Sequence, residues 1–99
     1  MLGLAMKAGK IAFGADMCVE HMKKKEAKLL ILSEDLSERT KEKFINLAND
    51  NCIDYFSFGT IEELSQSIGK TNKGIIAVLD EGFANKISQM VKNFKGANN

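Results

Sequence analysis

The chain reads as an α/β domain: a three-layer α-β-α sandwich built on a sheet of about four strands. Three observations carry that expectation. Segments with the 3.6-residue helical period alternate along the chain with short strand-like runs. The strands expected at 28–32 and 74–79 are apolar without interruption, as strands covered on both faces are. A sheet sheathed on both sides needs helices in two layers, and five helical segments are available to supply them.

Each element has its own local signal. Residues 2–8 look helical, and Gly9 supplies a left-handed stop. Lys10 to Phe13 reads as a brief strand, after which Gly14 releases the chain into a helix over 15–25. There Ala15, Cys18, Val19 and Met22 fall at i, i+3, i+4 and i+7, one apolar stripe facing a core. After the strand at 28–32, Ser37 can cap a helix whose inner face is Phe44, Leu47 and Ala48. A strand over 54–58 carries Tyr55, Phe56 and Phe58 and closes at Gly59. Thr60 with Glu63 three residues later is a capping box for a short helix containing Leu64 and Ile68. Asp80 can cap the last helix, striped by Phe83, Ile87, Met90, Val91 and Phe94. One domain over 1–95 is expected, with a loose tail at 96–99 that has no apolar anchor.

The totals exclude several classes of function. Ninety-nine residues make one core, and no stretch is long and apolar enough to span a bilayer. Fourteen Lys and Arg against thirteen Asp and Glu leave a net charge of +1, so no bulk field drives the molecule onto nucleic acid or membrane. A local patch exists instead: residues 7–28 hold six lysines, namely Lys7, Lys10, Lys23, Lys24, Lys25 and Lys28, against three carboxylates. Cys18 and Cys52 lack metal-ligand and redox spacing and are expected to be two buried small residues of a cytoplasmic protein.

Catalytic signatures fail when tested. Ile68-Gly69-Lys70-Thr71 ends like a phosphate-binding loop, but the glycine needed five positions earlier is Leu64 and a helix precedes it. His21 has no second histidine at i+4, which excludes the zinc site of metalloproteases. Cys18 lies three residues before His21, yet its place in the apolar stripe describes an inert thiol. Glu34-Asp35 stands at a strand end, where adjacent carboxylates start turns or cap helices. No cofactor or metal is implied.

Several ordered segments together carry a resemblance: Ala8-Gly9-Lys10-Ile11 with Gly14, then Ala27-Lys28-Leu29-Leu30-Ile31-Leu32-Ser33-Glu34-Asp35, then Ile68-Gly69-Lys70 and Ile75-Ile76-Ala77-Val78-Leu79-Asp80. In this order and spacing they resemble the kink-turn-binding ribosomal protein family of large-subunit proteins L-seven-Ae and L-thirty-e, in its small bacterial branch. The resemblance spans about residues 2–90 and implies a mixed sheet. It also implies a non-catalytic protein whose partner is structured RNA, ribosomal or other noncoding, with neither DNA nor membrane involved.

In the family, RNA docks on the helix after the small glycine turn, where a typical member reads Gly-Ala-Asn-Glu and then a lysine three residues on. That pattern falls on Gly14, Ala15, Asp16, Met17 and Glu20. Ionised Asp16 only accepts hydrogen bonds where asparagine also donates, Met17 offers no charged acceptor, and Glu20 would repel a phosphate. The resemblance implies a second contact surface at Glu34 and Asp35 and in the loop with Lys70 and Lys73. The family's Leu-Gly pair ahead of that loop is Leu64-Ser65 here, and an apolar loop is replaced by Thr71-Asn72-Lys73-Gly74.

The leading expectation is an RNA-binding protein using helix 14–25, with Gly14 and Ala15 allowing close approach and Lys10, Lys23 and Lys24 holding phosphates. The rival is a protein-interaction module that keeps the fold and has lost RNA recognition, which Asp16, Met17 and Glu20 motivate. A small enzyme built on Cys18 and His21 stands third.

Overall fold

The computed structural model describes residues 2–96, with side chains through Lys92. Helix α1 (Leu2–Lys7) leads into strand β1 (Ile11–Phe13), then α2 (Ala15–Lys23), β2 (Leu29–Leu32), α3 (Glu38–Asp50), β3 (Asp54–Ser57), α4 (Ile61–Ser67), β4 (Ile75–Val78) and α5 (Glu81–Gly96). The tail expected over 96–99 lies, beyond Gly96, outside the described residues.

The four strands form one mixed sheet in the order β1-β4-β2-β3. Strands β2 and β3 run parallel, while β4 is antiparallel to both β1 and β2. Central β2 and β4 are buried at every position, which accounts for their unbroken apolar runs. The two-residue period sorts their side chains into two cores. Leu30, Leu32, Ile75, Ala77 and Ala12 meet Cys18 and Met22 of α2 and Phe44 and Ala48 of α3. Leu29, Ile31, Ile76 and Val78 meet Leu64, Ala84, Ile87 and Val91, with Leu2, Met6 and Phe13 packed alongside. The expected three-layer sandwich follows directly from this alternation.

The register gives the sheet two distinct ends. Phe13, Ile76, Ile31 and Phe56 align at one of them, where β1 passes into Gly14. Ile11, Val78, Leu29 and Asp54 align at the other, next to Lys10. Helices α2, α3 and α4 all start at the Gly14 end, and α1, α2 and α3 finish at the Lys10 end.

Those three finishes share one geometry. At Gly9, Lys25 and Cys52 the chain turns left-handed, with φ of 71°, 64° and 56°. In each case the left-handed residue's amide bonds the carbonyl three back, and the next amide bonds the carbonyl five back. The pairs are Gly9–Met6 with Lys10–Ala5, Lys25–Met22 with Glu26–His21, and Cys52–Asn49 with Ile53–Ala48. This is the Schellman closure, which satisfies orphan carbonyls of the last turn.

Four local expectations need correction. Cys52 is exposed, not buried, because its left-handed turn position points it away from the core that Ile53 then enters. Ala15 is exposed, since it is the first residue of α2 and lies past the last strand pairing. Helix α2 stops at Lys23 instead of 25 because the chain reverses at Lys25. Met90 is 56% exposed, with Val91 taking the buried place beside it. Phe94 lies outside the described side chains.

Candidate nucleic-acid interface

The entrance to α2 differs from the starts of α3, α4 and α5. Ser37 accepts from the Thr40 amide at α3, Thr60 and Glu63 form the expected capping box at α4, and Asp80 accepts from the Phe83 amide at α5. Helix α2 begins at Gly14 with no side-chain cap. Its first-turn N–H groups therefore face outward without a side-chain acceptor, at the positive end of the helix dipole. Gly14 has φ +88°, a conformation that side-chain-bearing residues rarely adopt, and its own amide is spent on the Ile75 carbonyl at 3.0 Å.

Two segments flank this entrance. The Glu34-Asp35 turn is pinned from three sides. The Glu34 amide donates to the Gly59 carbonyl (2.7 Å), the Glu34 carbonyl accepts from Lys41 Nζ (2.6 Å), and Asp35 Oδ1 accepts from the Ile61 amide (2.9 Å). Asp35 thus caps α4, across 26 residues of sequence, as well as leading toward α3. The loop between α4 and β4 is fastened in turn by Ser65. Its Oγ accepts from the Lys73 amide (2.7 Å) and donates to the Lys73 carbonyl (3.1 Å). Gly74 then passes so close to Ser33 that a Cβ there would stand 2.6 Å from the Ser33 Oγ.

The fastened loop sends two lysines back to β1. Lys70 Nζ lies 5.3 Å and Lys73 Nζ 5.9 Å from the centroid of the Phe13 ring. Lys73 Nζ is also 4.0 Å from where a Cβ on Gly14 would stand. Among the described residues neither ammonium has a carboxylate partner. Sequence reasoning took Lys70 for the site and weighed Lys73 as a backbone contact, but passed over Phe13 and Ser65. Phe13 looked like an ordinary strand aromatic. The substitution of serine for the family's glycine at position 65 was the available signal.

The outward side of α2 is open. Asp16, Met17, Glu20, Lys23 and Lys24 are all exposed, Met17 at 49%. Lys24 is not a free cation, since its Nζ sits 2.9 Å from Glu20 Oε1. That hydrogen bond, with the attraction between the charges, holds the Glu20 carboxyl below its usual range and the Lys24 ammonium above its own. His21 Nδ1 lies 3.0 Å from Glu26 Oε1, at the helix end.

Folding does not bring all the anticipated residues together. Gly14, Ala15, Asp16, Met17, Glu34, Asp35 and Lys70 gather at the Gly14 end. Lys10 is at the opposite end of β1, four residues and about 13 Å away. Lys23 and Lys24 occupy the far end of α2, about 13 Å from its start. The lysine excess read from residues 7–28 is also diluted by folding. Helix α2 carries its own counter-charge there, since Glu20 pairs with Lys24 and Glu26 with His21.

The thiol considered for catalysis is unsuited to it. Cys18 is fully buried, with Sγ 3.6 Å from the carbonyls of Ala12 and Ile75, and burial pushes its pKa up to about 12. No group of three or more His, Cys, Asp or Glu among the described residues could hold a metal. No helix among them is long and apolar enough to cross a membrane.

Exposed backbone donors, fixed turns and paired cations suit docking onto another molecule, and the scaffold that presents them is an α-β-α sandwich. The chain belongs to the ribosomal protein L7Ae/L30e/S12e/Gadd45 family, whose profile matches residues 1–88. It is 35% identical over 91 residues to the RNA-binding protein YlxQ of Bacillus subtilis (strain 168), covering 92% of this chain and 91% of that one. It is 30% identical over 92 residues to the RNA-binding protein YlxQ of Enterococcus faecium, covering 93% and 88%. A solved structure of a protein with unknown function from Bacillus halodurans C superimposes with a TM-score of 0.89 at 30% identity, covering 92% of each chain.

Proposed function

We propose that the protein is a cytoplasmic, ribosome-associated RNA-binding protein that recognises a structured, kink-turn-like element through the Gly14 end of its sheet. The observation that carries this reading is the uncapped start of α2 behind Gly14, flanked by the fixed Glu34-Asp35 turn and the Lys70–Lys73 loop. Outward N–H groups and nearby ammoniums suit phosphate oxygens, and an exposed first turn suits base edges. Family membership and the RNA-binding names of two relatives support the same reading. A gel shift tests it: an RNA with tandem sheared G·A pairs should bind more tightly than a control with those pairs replaced. Equal affinity reduces the activity to nonspecific binding. Lys23→Glu with Lys24→Glu should weaken binding and flatten its salt dependence if the RNA runs the length of α2. An unchanged slope confines the footprint to the Gly14 end.

A second reading is favoured by Met17, a half-exposed thioether between Asp16 and the Glu20–Lys24 pair. A protein partner would use that apolar contact with its charged surround. Pull-down from lysate with and without ribonuclease separates the two, since partners that survive digestion with no RNA recovered favour the protein interface.

A further inference from the structure

The structure assigns to Phe13, Lys70 and Lys73 a phosphodiester clip, held in register by Ser65, at the mouth of α2. This inference rests on the RNA-binding reading and names the chemistry of one part of it. Two ammoniums share one aromatic ring, at 5.3 and 5.9 Å from its centroid, and neither has a carboxylate partner among the described residues. Lys73 also stands at the amino-terminal, positive end of α2, where the helix dipole disfavours a cation. An anion seated at the α2 mouth, against these ammoniums and the uncapped amides, is attracted by both and offsets that unfavourable placement.

The ring and the serine explain why the lysines wait there. The π system of Phe13 attracts both cations and holds their flexible side chains near the ring in advance. The two Ser65 hydrogen bonds fix the Lys73 backbone, so the loop does not have to be ordered by the ligand. Where apolar loops stack on a base, this loop presents charge. The ligand it fits is a backbone phosphate, read without regard to base identity. Phe13 and Ser65 are positioning residues, and Lys70 and Lys73 are the contacts.

The test uses the whole chain. Lys70→Gln with Lys73→Gln should lower affinity roughly tenfold or more at physiological salt. It should also reduce the slope of log affinity against log salt by about 1.4 to 1.8, as the loss of two phosphate contacts predicts. The loss should be the same for the G·A RNA and its control, because the clip reads no bases. An unchanged slope, with wild-type RNA binding intact, overturns the clip and leaves the RNA-binding reading standing. Phe13→Leu should cost about two- to fivefold. Ser65→Ala should weaken the wild type but add nothing to the double-glutamine variant, whereas additive losses would remove Ser65 from the clip. A nuclear magnetic resonance titration of the folded wild type with uridylyl-uridine and with inorganic phosphate tests the clip apart from any folded RNA. Joint movement of the Phe13, Lys70 and Lys73 signals with the dinucleotide supports it. Movement with inorganic phosphate alone, or with neither, overturns it.

Discussion

The two ends of the sheet set their lysines differently against the helix dipoles. At the Lys10 end, α1, α2 and α3 all finish, so Lys7, Lys23 and Lys25 meet the negative poles of helix dipoles. Lys24 is paired with Glu20. At the Gly14 end three helices begin, and Lys73 stands against the pole of one of them. A lysine count treats both ends alike. Pairing sets Lys24 apart at the first end, and dipole direction sets Lys73 apart at the second.

The two cysteines give the largest expected contrast. Cys18 lies against Ala12 and Ile75, toward the Gly14 end, and Cys52 lies exposed at the Lys10 end. A maleimide at neutral pH should label Cys52 readily. Cys18, with its pKa near 12 against an ordinary 9.0, should react about a thousandfold more slowly than a free thiol on thiolate content alone. The linkage has a definite sign. Burial favours the neutral thiol, so its contribution to stability is whole below pH 9 and is lost as pH rises toward 12. Labelling of both thiols at similar rates in the native state would contradict the packing of α2 on the sheet.

Glycines sharpen the comparison. At the Gly14 end, Gly74→Ala puts a Cβ 2.6 Å from Ser33 Oγ, 2.8 Å from Ile61 Cγ1 and 3.1 Å from Leu36 Cδ2. The serine is buried and short, so the strand must move, at about 2–3 kcal/mol. Thermal melting should fall by roughly 10 °C or more. Gly9→Ala at the Lys10 end meets nothing within 4 Å and suffers only from φ +71°, which costs about 1 kcal/mol. Equal losses at the two sites would mean that the close approach at Gly74 is relieved more easily than its neighbours allow. Asp35→Ala should lose about 1 kcal/mol by leaving the Ile61 amide of α4 without its acceptor, with the Thr60–Glu63 box and the clip lysines still in place.

Much of the fold could be read directly from residues with local consequences. The Thr60–Glu63 box, the Ser37 and Asp80 caps and the Gly9 stop are decided within four residues, and all appear where expected. The buried runs of β2 and β4 were equally plain. The candidate site was legible only in part, because its contacts are long-range. Nothing near position 13 announces that Lys70 and Lys73 will lie over that ring, or that Asp35 will cap a helix 26 residues later. The cluster of lysines over 7–28 was visible because it is contiguous, and folding then divided and offset it. Cys52 was misplaced for a related reason: the left-handed closure of α3 was recognisable at a glycine but not at a cysteine.

The left-handed closure of α3 gives the smallest and most specific expectation. Residues 25 and 52 hold the same left-handed position that glycine holds at Gly9, with φ of 64° and 56°. Each carries a Cβ against a neighbouring carbonyl, at about 1 kcal/mol. Cys52→Gly relieves that strain, keeps both hydrogen bonds of the closure and leaves Ile53 in the core beside Ala48. Glycine also has more freedom to lose on folding, which offsets part of the gain. The net expectation is a stabilisation of about 0.5 kcal/mol, read as a small rise in the urea midpoint at constant slope. RNA affinity should not change, because the substitution sits at the Lys10 end, away from the open amides of α2. A loss of affinity with stability preserved would show that the ligand reaches both ends of the sheet.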